Sequence, residues 1–283
     1  MVGVIDVGGG LRDIYGAGVF DWCIDNGVTF DYGIGVSAGS GNMMNFLTGQ
    51  RGRTFGFYHF FAFRKEYMSA GNFIKNHSYI DLDYIYGKMT NSDGEYPFDY
   101  EKFAENPMKY TIVATDAETC EPHYFDKSEI KKDCYDIIKA SCAIPFVCKP
   151  INIDGRDYYD GGVADPVPLK KAYEDGCDFV VVILTLPRDY RMEGGGKDAF
   201  AARMLNDKYP NMSHGLYARF DIYNQQINYL EKMEREGRAL IIAPDDLCGM
   251  TTLSKDREKM RKMYEKGYED AKILKDCVFL NMK

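Results

Sequence analysis

Apolar residues along this chain fall into two rhythms. Short runs rich in Val and Ile at residues 2–7, 32–36, 110–115, 178–184 and 239–243 predict strands, and the unbroken 178–184 run predicts one buried on both faces. Between them the spacing turns helical. Ile14, Ala17, Trp22 and Cys23 predict a helix over 14–26 closed by Asn26-Gly27, and Met43, Met44, Phe46 and Leu47 give the segment after residue 36 an apolar face. Shorter helices are predicted over 81–89, over 133–143 with Asp133 as the cap, and over 170–175 after Pro168. Residues 121–125 are expected to return beside 110–115 through a turn at Thr119-Cys120, and Asp154-Gly155 signals a hairpin joining 146–153 to 156–159. Beyond residue 187 the chain reads as mostly helical, with an amphipathic stretch at 215–237 and a second at 255–274 that gathers Met260, Met263, Tyr264, Gly267, Tyr268 and Ala271 on one face. Strands alternating with helices predict an α/β fold with a mostly parallel sheet, whose ligand sites lie at the carboxyl ends of the strands.

Some stretches keep more than one reading. Residues 54–68 place Phe55, Phe57, Tyr58, Phe60, Phe61 and Phe63 between Arg51, Arg53, Arg64 and Lys65. The favoured reading is a core helix whose basic ends reach solvent; the other is an acyl-pocket lining or a lipid-facing patch. Residues 90–97 read as an exposed loop, and Gly194-Gly195-Gly196, with no strand before it, as a mobile loop and candidate cover for a site.

Composition narrows the function. At 283 residues, 45% hydrophobic and 28% charged, the chain is expected to fold as one globular unit with room for an extension. No apolar run approaches the roughly 18 residues of a membrane span, and the start lacks the pattern of a secretory signal, so the expected location is cytoplasmic. A net charge of −8 without a basic stripe gives nucleic acid nothing to bind, and leaves only brief, apolar contact with a membrane surface. Eight scattered cysteines without a C-x-x-C pair, and four histidines without metal-ligand spacing, read as reduced thiols and imply no metal.

Two glycine-rich stretches remain as candidate chemistry. Gly35-Val36-Ser37-Ala38-Gly39 fits G-x-S-x-G, in which a serine sits on a sharp turn between strand and helix with its hydroxyl exposed. A bare G-x-S-x-G also fits any tight strand-to-helix turn. Gly8-Gly9-Gly10 at the end of the first strand could cradle a phosphate, supply amides to an oxyanion, or simply turn. The dinucleotide pattern G-x-G-x-x-G fails because Asp13 occupies the third glycine position, and no Walker lysine follows. Three bare amides in succession suit developing negative charge.

Four motifs in this order resemble the patatin-like phospholipase family: Gly8-Gly9-Gly10-Leu11-Arg12, Gly35 to Gly39, the A-S-x-x-x-P signature at residues 140–145, and Asp160-Gly161-Gly162. The chain departs from the family's usual G-G-G-x-R-G at Asp13. The resemblance implies a three-layer α/β/α core over residues 1–186, with residues 187–283 as a mostly helical extension packed on the same unit. It further implies a Ser37–Asp160 dyad, an oxyanion hole drawn from Gly8, Gly9, Gly10, Arg12 and Ala38, lipid or other acyl ester substrates, and no cofactor. Ser141 and its neighbours read as scaffolding. Two rival readings stand beside this one: a Ser37, Asp160, His214 triad, and a non-catalytic lipid- or partner-binding module with the same fold.

Overall fold

In the computed structural model, which describes residues 1–280, an eight-stranded sheet carries helices on both faces. The elements run β1 (Val2–Asp6), α1 (Ile14–Asp25), β2 (Tyr32–Val36), α2 (Ala38–Thr48), α3 (Arg53–His59), α4 (Ala70–Asn76) and α5 (Tyr100–Glu105). Next come β3 (Lys109–Asp116), β4 (Pro122–Asp126), α6 (Asp136–Cys142), β5 (Ile151–Ile153), β6 (Arg156–Asp160), α7 (Leu169–Glu174) and β7 (Phe179–Ile183). The remainder holds α8 (Gly196–Leu205), α9 (Pro210–Arg235), β8 (Ala239–Ile242) and α10 (Arg257–Asp270).

Five strands, in the order β8-β7-β1-β2-β3, are parallel, and β4 and β6 join β3 antiparallel. Alternation along the central strands divides the core between two faces. Val4, Val181 and Ile183 pack with α1, α2 and α10, whereas Ile5, Val180 and Val182 pack with α7 and α9. The result is the expected α/β/α sandwich with a mostly parallel sheet.

The register around β3 fixes where chemistry can occur. β2 pairs with β3 up to Val36 opposite Val113, and β6 takes over at Asp160 opposite Ala114. Because β4 spans residues 111–115 of β3 on its other edge, β2 and β6 share one edge and meet end to end. The residues that leave both strands at that junction are Ser37 and Asp160.

Several boundaries differ from the sequence expectation. The aromatic stretch is helical only to His59 and continues as a short 3-10 turn at Phe61–Phe63. Its Arg53 does not reach solvent: it is buried, stacks on Phe57, Tyr96 and Phe98, and donates to Asn45 and the Tyr96 carbonyl. Asp133 is not the cap of α6. It has a left-handed φ of 58° and binds Ser92, so the helix begins later, after Tyr135. The hairpin is shorter than predicted because Phe146 adopts φ 68° in a turn that delays β5 to Ile151. Gly196 opens α8 rather than belonging to a free loop.

Candidate active site

Ser37 links β2 to α2 with φ 56° and ψ −132°, a conformation costly for any side chain but glycine. Neighbouring groups hold it there. Its N–H donates to Ser141 Oγ at 2.9 Å, and its carbonyl accepts from Ser40 N and Ser40 Oγ at 2.9 and 2.6 Å. The flanking glycines permit the close pass of helix over sheet: a Cβ on Gly35 would sit 2.5 Å from Ser40 Cα, and one on Gly39 would strike the Asp6 carbonyl. Ser141, expected to serve only as scaffold, therefore touches the elbow itself.

At the other strand end, Asp160 donates its N–H to the Ala143 carbonyl at 2.9 Å, and its carbonyl accepts from Thr115 Oγ1 at 2.8 Å. Its carboxylate accepts from Ser37 Oγ at 2.6 Å through Oδ2 and from Gly162 N at 2.8 Å through Oδ1. Gly161 must lack a side chain because a Cβ would run into the Val113 carbonyl. Burial pushes the Asp160 carboxyl above the usual carboxylate range, against the opposing pull of the Ser37 hydroxyl, the Gly162 amide and the Arg219 charge.

The Gly8-Gly9-Gly10 loop, with φ of 71°, 146° and 60°, borders the same space. Gly8 presses against the elbow, where a Cβ would lie 2.9 Å from Ser37 Cβ. Its amide is already used, donating to Asp6 Oδ1 at 3.1 Å, so Gly8 does not belong among the free oxyanion donors that the sequence suggested. Leu11 N is likewise bound, to the Thr252 carbonyl at 2.8 Å. The amides of Gly9, Gly10 and Ala38 make no hydrogen bond among the described residues. Arg12 braces the loop: its guanidinium lies 3.4 Å from Thr185 Oγ1, which donates to the Gly8 carbonyl at 2.5 Å.

Asp13 answers the departure from the family's glycine. Its φ of −75° needs no glycine, and its carboxyl turns inward to meet Asp6 around Gly16, away from the cavity. Both Asp13 oxygens are buried without a donor, while Asp6 Oδ2 accepts from Asn42 at 3.0 Å. Burial, reinforced by Asp6, raises the Asp13 carboxyl well above its ordinary range, which favours its protonated form.

Two hollows open at Ser37. One, of about 670 Å³, is bordered by Gly9, Gly10, Arg12, Asp160, Phe146, Phe200, Leu216 and Arg219. The other, of about 60 Å³, lies among Phe57, Tyr58, Tyr67, Met68, Ile80 and Tyr86. Part of the aromatic stretch thus lines the narrow hollow while Phe60 faces solvent. His214 is exposed in α9 beside Phe200, Arg203 and Tyr217, and makes no hydrogen bond to Ser37 or Asp160. Among the described residues no cluster of His, Cys, Asp and Glu forms a metal-binding group. Thr185, Thr252 and Arg219 escaped the sequence reading, and only Thr185 carried a signal, its place at the carboxyl end of β7.

Residues 7–173 match the family described as patatin-like phospholipase, and residues 209–274 match a domain of unknown function, DUF6363. The uncharacterized protein YjjU of Escherichia coli K12 is 29% identical over 191 residues, which are 66% of this chain and 52% of that protein. An uncharacterized NTE family protein of Mycobacterium bovis is 34% identical over 77 residues, 27% of this chain and 20% of its own length. The chain spans about half the length, or less, of these relatives. The crystal structure of VipD from Legionella pneumophila superposes with a TM-score of 0.55 at 12% identity, over 99% of this chain and 67% of that one, a likeness of fold. With the first match extending over more than half of its residues, the chain belongs to the patatin-like phospholipase family.

Proposed function

We propose that the protein is a serine hydrolase of lipid acyl esters, with Ser37 as nucleophile and Asp160 as its base. The observation that carries this reading is the 2.6 Å contact between Ser37 Oγ and Asp160 Oδ2 at the edge of a cavity of about 670 Å³. Ser37 Oγ adds to the ester carbonyl carbon while its proton passes to Asp160. The charge that develops on the carbonyl oxygen is met by the amides of Gly9, Gly10 and Ala38, with Arg12 adding positive field. Collapse expels the alcohol, which takes the proton from Asp160. Water, deprotonated by Asp160, then adds to the acyl-serine, and the acid is released as Asp160 returns that proton to Ser37 Oγ.

Energetics decide how the proton moves. The ordinary gap between a carboxylate and an aliphatic hydroxyl is roughly nine pH units, so a free alkoxide would lie about 12 kcal/mol uphill. Proton transfer must therefore accompany bond formation, and burial of Asp160 narrows the gap.

A lipid substrate is favoured by the rim of the cavity. Phe146, 39% exposed, touches both Phe73 and Phe200, and Ile74 beside them is 81% exposed. Such a cluster favours brief contact with a membrane surface, and among the described residues no helix is long and apolar enough to cross one. Free thiols at all eight cysteines fit a cytoplasmic location.

A fluorophosphonate ester probe tests the reading. Wild type and His214→Ala should label and hydrolyse acyl esters, while Ser37→Ala should do neither. Loss of labelling in His214→Ala would install the triad instead, and a folded wild type that fails to label would leave the non-catalytic binding module.

A further inference from the structure

The C-terminal segment that matches a domain of unknown function touches both halves of the candidate site. The Thr252 carbonyl holds the Leu11 amide and stands where a Gly10 Cβ would come within 2.5 Å. From α9, Arg219 Nε donates to the Gly162 carbonyl at 3.0 Å, and Gly162 donates its own N–H to Asp160 Oδ1 at 2.8 Å. Gly162 is therefore pinned between a guanidinium and the carboxylate whose other oxygen meets Ser37. The far end of Arg219 lies 3.4 Å from Asp198 in α8.

We propose that Arg219, supplied by the C-terminal segment, is the positioning residue of the Asp160 carboxylate, holding the turn that aims it at Ser37 and setting the charge beside it. The inference rests on the Ser37–Asp160 reading. The groups that bear on Asp160 are few. Ser37 approaches from the start of α2, Cys142 and Cys148 from α6 and the loop after it, Arg219 from α9, and Arg12 borders the same cavity. Burial pushes both thiols up, so they stay neutral and the two arginines are the cations. Removing the Arg219 guanidinium deletes one of them and strips Asp198 of its partner, and both changes favour the protonated form of Asp160. The turn itself keeps other bonds, from Asp165 N to the Gly161 carbonyl at 3.0 Å and from Ala164 N to Thr115 Oγ1 at 3.2 Å, so it should stay folded without Arg219 while the Gly162 peptide loses the bond that fixes its orientation.

The test compares wild type, Arg219→Met and Arg219→Lys in two readouts: the pH profile of acyl ester turnover, and direct titration of the Asp160 carboxyl by carbon-13 NMR, assigned with Asp160→Asn. In Arg219→Met, kcat at neutral pH should fall about 10- to 100-fold with KM within about threefold. The acid limb and the carboxyl titration should both move up by about one pH unit, and Arg219→Lys should recover most of that displacement. A folded Arg219→Met protein with the wild-type profile and titration would overturn the assignment while leaving the dyad intact. Titration that follows Arg219 in a protein without Ser37-dependent turnover would sink the dyad reading and leave the positioning of Asp160 standing.

Discussion

Asp160 and Asp13 are both acids buried beside a glycine motif, and burial raises the proton affinity of both. Their surroundings separate them. Asp160 receives a hydroxyl and an amide, feels the Arg219 charge, and borders the large cavity. Asp13 has no donor within hydrogen-bond geometry, faces a second carboxyl, and borders neither hollow at Ser37. Burial alone creates a neutral, silent acid; reactivity requires donors that stabilise the charged form and an opening through which a substrate arrives.

This contrast can be broken most sharply at Asp160. Asp160→Asn keeps the shape but removes the base, and turnover should fall about 10³- to 10⁴-fold, measured as kcat on an acyl ester, with the fold retained. Retained activity would mean that Asp160 is as silent as Asp13. Gly10→Ala should come next. A methyl group there opposes the φ of 60° and meets Thr252, so an amide assigned to the oxyanion is displaced, and kcat should fall about 10²-fold. Full activity in that variant would remove Gly10 from the hole.

The smallest effect on turnover is expected at Asp13, where the consequence is stability. A carboxyl whose folded pKa lies above its unfolded value contributes fully below the unfolded value, and that contribution is lost as pH rises through the folded one. Burial places the Asp13–Asp6 pair in this class, with Asp6 pushed up to about 6, so the wild type should lose stability as pH rises from about 4 through that range. Asp13→Asn replaces the carboxyl that opposes ionisation of Asp6 with a permanently neutral donor. Its melting temperature near neutral pH should rise by about 2 to 6 °C, its pH dependence should flatten, and turnover should stay within about threefold of wild type. A fall in both would show that Asp13 supports the glycine loop after all.

Much of this contrast was legible in the residues. Glycines at 8, 10, 35, 39 and 161 mark places where another backbone passes too closely for a side chain, and the runs of Val and Ile located all five parallel strands. Local signals failed where a distant partner decides the outcome. Asp133 reads as a helix cap but is drawn to Ser92, and Arg53 reads as a solvated end but is drawn under Tyr96. Nothing in α9 distinguishes Arg219 from any other cation on an amphipathic helix.

The sequence by itself determined the α/β class, the sharp turn at Ser37 and the motifs of the family, because these depend on local sterics and on the period of apolar side chains. Only the tertiary structure decided that β2 and β6 end against each other along one edge of β3, and that the C-terminal segment reaches the Asp160 turn. Those are choices of register and partner between segments as many as 123 residues apart, as Ser37 and Asp160 are. They are settled by the packing of the whole sheet, which no local window of residues contains.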